Sequence, residues 1–229
     1  SKRNKEMKML KRLTLFVIFS LYYTAVTLAS DPDPVQDFCI PNPRFGPITA
    51  HHLRILPCKN SSDVTTDDFV FSGVKTAGNF TETGLAAIPV NPTIFPGLNT
   101  LGMSFVRADM KTGGINPPHF HPRATEIAYV LQGSVYSGFV DSGNRVFAKV
   151  IEQGEVMVFP RGLVHFLMNV GDKPATIFGT FNSQNPGTQK IPSALFGSEI
   201  NQDLLEKAFG LSPKQIGVMR RRFDPKRAR

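Results

Sequence analysis

The 229-residue chain is 41% hydrophobic and 19% charged, a balance that excludes a disordered or collagen-like polymer and allows one or two globular domains with a sizeable core. Its 19 Gly and 18 Pro, with no Trp and many short Val-, Ile- and Phe-rich runs, favour turn-punctuated strands over long helices. Of the net charge of +8, a surplus of five lies in residues 1–30 and six in residues 214–229, which leaves residues 31–213 at −3 and argues against nucleic acid as a partner of the domain itself.

At the N-terminus, Lys8, Lys11 and Arg12 precede an apolar run from Leu13 to Leu28, and Thr27 and Ala29 supply small residues at its end. This is the pattern of a secretory signal peptide over residues 1–29, cleaved after Ala29. The run is shorter than the roughly 20 apolar residues that span a bilayer, so no transmembrane anchor is expected. Position 1 is not Met, and Met7 and Met9 are candidate starts.

Residues 30–96 read as an N-terminal arm with the first strands. Cys39 and Cys58 are the only cysteines, and an oxidising compartment would join them across the Pro-rich stretch Pro41, Pro43, Pro47 and Pro57. A loop of that size gains about 3 kcal/mol from closure. Asn60-Ser61-Ser62 and Asn79-Phe80-Thr81 are N-glycosylation sequons that fit the same secreted setting, whereas Asn91-Pro92-Thr93 is blocked by its proline.

Residues 97–192 read as the core of an all-β barrel. Strand-length apolar runs recur at Leu101–Val106, Ile127–Leu131, Val135–Val140, Val146–Ile151, Val156–Phe159, Phe166–Val170 and Thr176–Phe181. Turn signals such as Gly113-Gly114, Gln132-Gly133, Gln153-Gly154 and Gly171-Asp172 separate them. Such spacing predicts an antiparallel sandwich or barrel, and a jelly roll closes its edges by folding two sheets over one another. Residues 193–229 change to helical spacing. Ile200, Leu204, Leu205, Ala208 and Phe209 end at Gly210, and Ser212-Pro213 starts a second helix with Ile216, Met219 and Phe223 on one face among Arg220, Arg221 and Arg222. The pair covers its own barrel or a neighbouring subunit, and the basic tail could meet acidic cell-wall polysaccharide.

The candidate site lies in the segment from Gly113 to Glu126. Positions i and i+2 of a strand face one side, so His119 and His121 can present two imidazoles to one ion, with Glu126 entering just past the turn. His165 is the remaining histidine of the strand-rich body; His51 and His52 fall in the arm and read as surface or hydrogen-bonded residues. Three imidazoles and a carboxylate suit Mn, Fe, Ni or Zn, and the hard carboxylate without thiolate tilts the choice toward Mn or Fe.

This segment resembles the first motif of the germin branch of the cupin superfamily: Gly113, five residues, His119-x-His121, four residues, Glu126, six residues, Gly133. The second motif is similar to Gly154, five residues, Pro160-x-Gly162, two residues, His165, three residues, Asn169. The resemblance implies a cupin β-jelly-roll barrel with a C-terminal α-helical extension, and Mn(II) held by His119, His121, Glu126 and His165. It also implies a homo-oligomer, a hexamer built as a trimer of dimers, in the plant apoplast or cell wall.

Germins either oxidise oxalate or, among germin-like relatives, dismutate superoxide. In the oxalate-oxidising members two Asn side chains hold the substrate; Asn116 matches one of them and Val106 stands at the other. An isopropyl group donates no hydrogen bond, and losing one donor to a buried anion costs about 1–3 kcal/mol. The leading expectation is therefore superoxide dismutation on a small anionic substrate, with a role in defence or stress. The alternatives are a non-catalytic, wall-associated, receptor-like protein with structural manganese, and an oxalate oxidase. Arg107-Ala108-Asp109, where some germins carry an adhesive Arg-Gly-Asp-like tripeptide, reads as strand-end charge.

Overall fold

Period-two alternation builds the molecule. In the computed structural model, which describes residues 36–224 and the isolated positions 11 and 14, ten strands and three α-helices follow the arm. The signal-peptide expectation and the tail beyond Asp224 lie outside the described residues, those two positions apart. The strands are β1 (Leu85–Val90), β2 (Ser104–Met110), β3 (Ile115–Phe120), β4 (Glu126–Gln132) and β5 (Ser134–Val140), then β6 (Val146–Glu152), β7 (Val156–Phe159), β8 (His165–Asn169), β9 (Ala175–Phe181) and β10 (Gln189–Lys190). They form two antiparallel five-stranded sheets, ordered β1-β2-β9-β4-β7 and β10-β3-β8-β5-β6. This is the expected all-β jelly roll, and the seven apolar runs fall on β2 and β4 to β9.

Along β4, Glu126, Ala128 and Val130 are buried while Ile127, Tyr129 and Leu131 face outward. Along β8, His165, Leu167 and Asn169 are buried in the same alternating way. The apolar side chains of this inner face join Leu85, Met110, Val135, Ile151, Phe159, Ala175 and Ile177 in one core between the sheets. Each of these two strands therefore passes from a metal-ligand type residue at one end into hydrocarbon at its middle, and β8 closes on Asn169, whose amide is bonded to backbone carbonyls.

Prolines inside two strands are explained by an edge in one and a register shift in the other. β1 lies before the expected barrel boundary at residue 97, yet its Leu85 and Val90 are buried and it pairs with β2 along its whole length. It carries Pro89, which an outermost strand tolerates because one side of it needs no donor. β3 carries Pro117 and Pro118 where its register with β8 shifts between Asn116 and His119, so the missing N–H groups fall in a gap of the ladder.

The C-terminal extension has three helices rather than two: α1 (Ile191–Phe196), α2 (Gln202–Phe209) and α3 (Pro213–Phe223). α1 spans the expected boundary between residues 192 and 193, since Pro192 sits in its first turn, where a missing N–H costs nothing. Asn201 caps α2 through Leu204 N at 3.1 Å, Gly210 ends it with φ +63°, and Ser212 with Gln215 forms a capping box on α3. Phe196, Leu205 and Ile216 fuse the three into a second small core.

Cys39 and Cys58 are bonded, with Cα atoms 5.0 Å apart, and close the first part of the arm. Two long side chains then fasten the arm to the barrel. Asn99 Nδ2 donates to Cys39 O at 2.9 Å, and Arg107 Nη1 donates to Val74 O and Lys75 O at 2.9 and 3.1 Å. The same guanidinium grips Asp109 through two bonds of 2.8 Å, and Thr176 Oγ1 donates to that carboxylate. Arg107 and Asp109 thus lie inside β2, paired with each other, and not at a strand end. Among the described residues no helix is long and apolar enough to cross a membrane.

Candidate metal centre

Four side chains reach one point inside the polar end of the barrel. His119, the penultimate residue of β3, lies directly opposite His165, the first residue of β8. His121 follows just past the end of β3, and Glu126 opens β4 between Phe159 on β7 and Phe181 on β9. One ligand atom from each lies within 4.8 Å of the others, and none of the four residues is more than 6% exposed. His51 and His52 remain in the arm, where His52 Nδ1 meets Thr49 Oγ1 at 2.7 Å.

Backbone carbonyls set the imidazoles. His119 Nδ1 lies 2.8 Å from Pro117 O, His165 Nδ1 2.9 Å from Leu163 O, and His121 Nδ1 2.5 Å from Gly187 O. A carbonyl only accepts, so each Nδ1 carries the proton and each Nε2 turns a lone pair inward, as second-sphere partners of metal-bound histidines do. Two of the inward atoms then lack donors. Glu126 Oε2 stands 3.0 Å from His121 Nε2 and 3.3 Å from His165 Nε2, and both Oε2 and His165 Nε2 are buried without a hydrogen-bond partner. Lone pairs gathered this closely require a positive charge between them, either a proton or a cation. The residues present therefore fit a metal ion with oxygen and nitrogen preference.

The protonation states fit the same requirement. Burial, reinforced by repulsion from His165, drives the His119 pKa down to about 3, which keeps its imidazole neutral and able to ligate. For Glu126, burial works to raise the pKa, but His121 and His165 outweigh it and hold the group at about 2, ionised at any ordinary pH.

Packing fixes the rest. His165 stacks on Phe159 with centroids 4.4 Å apart, and His121 meets the Phe181 edge at 4.6 Å. Gly179 on β9 passes beneath the carboxylate: a Cβ there would come 2.3 Å from Glu126 Oε1 and 2.9 Å from Val106 Cγ1. Gly187 supplies the carbonyl for His121 at φ +68°, and a Cβ there would meet Arg123 Nη2 at 2.8 Å. Arg123 holds this segment from outside by donating to Asn185 O at 2.6 Å and Asn185 Oδ1 at 2.9 Å. Sequence reasoning does not find Gly179, Gly187 or Arg123. An isolated Gly within a strand run, as at Gly179, is the one available signal of close approach.

A cavity of about 210 Å³ leads to the cluster. Asn116 lines it, with Nδ2 3.4 Å from His119 Nε2, and Val106 lines it too, alongside Leu85, Val90 and Ile177. The remaining predicted sites lie away from this cavity: Asn60 and Asn79 are exposed on the arm, and Asn60 Oδ1 accepts from Ser62 N at 3.4 Å.

Residues 72–217 match the family described as Cupin. The chain is 67% identical to germin-like protein subfamily 3 member 2 of Arabidopsis thaliana, over 93% of this chain and 96% of that protein. It is 55% identical to germin-like protein 2-4 of Oryza sativa subsp. japonica, over 94% and 95%. An oxalate oxidase structure superposes with a TM-score of 0.77 at 40% identity, covering 85% of this chain and 98% of that one. Peruvianin-I, a cysteine peptidase from Thevetia peruviana latex, superposes at 0.63 with 34% identity, over 71% and 98%.

Proposed function

Because the chain belongs to the germin-like proteins of the cupin family, with a buried three-histidine, one-glutamate metal site, we propose that it is a secreted manganese protein that dismutates superoxide in the plant apoplast. The observation that carries this reading is the convergence of three imidazole Nε2 atoms and the Glu126 carboxylate at the end of an open cavity, with Glu126 Oε2 and His165 Nε2 left without a donor. The ionised carboxylate and the absence of thiolate favour Mn(II) among the divalent metals.

Bound manganese would supply one-electron cycling between Mn(II) and Mn(III), so that two superoxide ions and two protons give dioxygen and hydrogen peroxide. The chain's own groups make this selective. Glu126 and the three imidazoles hold the ion away from bulk water, and Phe159 and Phe181 lock two of the rings. Asn116 Nδ2 is placed to donate to a small anion beside His119. Oxalate finds less: opposite Asn116 the wall at Val106 is an isopropyl group, which supports demoting oxalate oxidation despite the structural likeness. Thiol chemistry of the kind named for Peruvianin-I has no nucleophile here, since both cysteines of the chain are spent in the disulfide.

The wider setting follows from other features. The apolar run before Ala29, the disulfide and the sequons at Asn60 and Asn79 support secretion and glycosylation. Outward-facing Ile127, Tyr129 and Leu131 on β4, with Val156 and Val158 on the outermost strand β7, form an exposed apolar face. Such a face calls for a protein partner and supports the homo-oligomer, a hexamer built as a trimer of dimers, with α1 to α3 reaching neighbouring subunits. Exposed Arg221 and Arg222 would add wall polysaccharide as a partner.

The test uses purified protein of verified metal content. Manganese near one per chain and superoxide consumption abolished in the His119→Ala/Glu126→Ala double variant are expected, with negligible turnover of oxalate. A manganese-loaded protein that leaves superoxide untouched would turn the reading to a wall-associated protein with structural manganese.

A further inference from the structure

The mouth of the cavity holds a charge that ligation does not use. β10 pairs with β3 in the register Gln189↔Phe120 and Lys190↔His119. Directly opposed residues of an antiparallel pair project from the same face, their Cβ atoms about 4.5–5.5 Å apart. Lys190 therefore projects from the face that carries His119, and Gln189 from the other. The cavity wall shows the same alternation, since it includes Thr188 and Lys190 and omits Gln189. Lys190 is solvent-exposed and no described carboxylate pairs with it. Besides Glu126, which faces the other ligands, it is the only formally charged residue of the wall.

We propose that Lys190 is the electrostatic guide of this site, drawing a small monoanion into the mouth and strengthening its binding beside the metal cluster. This rests on the reading that a divalent metal sits among His119, His121, Glu126 and His165. Such an ion with Glu126 leaves a single positive charge, and Lys190 doubles what an incoming anion meets. The walls on the other side, Leu85, Val90, Val106 and Ile177, are hydrocarbon and focus that field instead of screening it. They also offer the ligand no donor; Asn91, Ser104, Asn116 and Thr188 are the neutral polar side chains of the wall, and of these Asn116 stands beside His119, with Lys190 on the adjoining β10 as the one cationic donor. The site thereby selects small anions over neutral or cationic molecules of the same size.

Azide titrated into manganese-loaded protein, followed by the Mn(II) electron paramagnetic resonance signal, tests this without superoxide. Between ~10 mM and ~200 mM salt the wild type should lose azide affinity as the charge is screened. Lys190→Gln should bind azide about three- to tenfold more weakly at low salt and flatten that slope. Lys190→Glu should bind more weakly still and nearly cancel it, Lys190→Arg should behave as wild type, and all should keep manganese near one per chain. Gln189→Glu removes no cavity charge but adds a negative one on the outer face, and should change azide binding little. The proposal is overturned if Lys190→Glu keeps the wild-type affinity and slope, or if Gln189→Glu weakens azide as much as Lys190→Glu does. The expected azide pattern without superoxide consumption would retain the guide and discard the dismutase. Failure to take up a divalent metal would discard both.

Discussion

The two ends of the barrel interior are built from the same strands and stabilised by opposite means. The inward face of β4 goes from Glu126 to Val130 and that of β8 from His165 to Leu167, so within a few residues each passes from the ligand cluster into hydrocarbon. At the apolar end Met110, Val130, Val135 and Ile151 are satisfied by burial alone. At the ligand end, burial by itself is unfavourable, because it strips water from a carboxylate oxygen of Glu126 and from His165 Nε2, which face each other without a donor. One end is complete as a folded chain. The other is complete only when a cation enters.

Metal removal breaks this comparison most directly. With free manganese at about a thousand times its dissociation constant, binding adds roughly 4 kcal/mol to folding stability, and a chelator removes it. Denaturant melts with and without chelator should differ by that amount in the wild type and coincide in the His119→Ala/Glu126→Ala variant. The next effect falls at the other end. Met110 is fully buried and stands outside the cavity wall, so Met110→Ala should cost about 2–5 kcal/mol whether or not metal is present. Manganese affinity, measured by competition with a chelating dye, should stay unchanged. A Met110→Ala variant that lost metal would show the two ends to be one cooperative unit.

The ligands were legible in the sequence because they are side chains at fixed spacings on strands of known period. His119-x-His121 and Glu126, completed by His165 in the second motif, needed no long-range geometry. Their supports were not legible, because a carbonyl carries no residue signature. Nothing in the sequence ties His121 to the Gly187 carbonyl, 66 positions away. Within the run Thr176–Phe181, Gly179 reads as a weak strand residue until Glu126 Oε1 is seen against its Cα. The strands were found where apolar runs mark them; the first strands are expected within residues 30–96, but Pro89 hides where β1 lies unless its place at the sheet edge is known. α1 escaped because six residues after a two-residue strand give no helical period to read. Composition also hid parity, since Ile127–Leu131 is uniformly apolar yet only Ala128 and Val130 of it are buried.

The hidden supports sharpen the comparison at smaller scale. Gly187→Ala puts a Cβ against Arg123 at a backbone angle that L-residues rarely adopt, and so displaces the carbonyl that orients His121. Disturbing such a second-sphere partner lowers metal affinity by about 10- to 100-fold. That loss should appear in the dye competition, with stability in excess chelator falling only by about 1 kcal/mol, the usual order for one strained residue. An unchanged affinity would mean that the neighbouring Thr188 hydroxyl, 3.4 Å from His121 Nδ1, suffices to hold the ring.

Acid separates the two ends by the smallest steps. In the metal-free protein His119 titrates at about 3, against 6.5 for the free side chain, so between these values the unfolded chain binds a proton that the folded chain refuses. Stability therefore falls as pH is lowered through that window, by at most ~1.4 kcal/mol for each unit below 6.5. Glu126, held at about 2 against 4.5, adds a loss of the same sign below pH 4.5. Metal increases the slope, because protons compete with it for the imidazoles and the carboxylate. Urea melts of the chelated protein at pH 6.5 and 5.5 should show the decline in the wild type and a shallower one in His119→Gln. Met110→Ala should keep the full wild-type slope from a lower starting stability, since it removes none of the ligand side chains. An equal slope in wild type and His119→Gln would place the acid sensitivity outside the ligand cluster and leave the contrast between the two ends resting on metal alone.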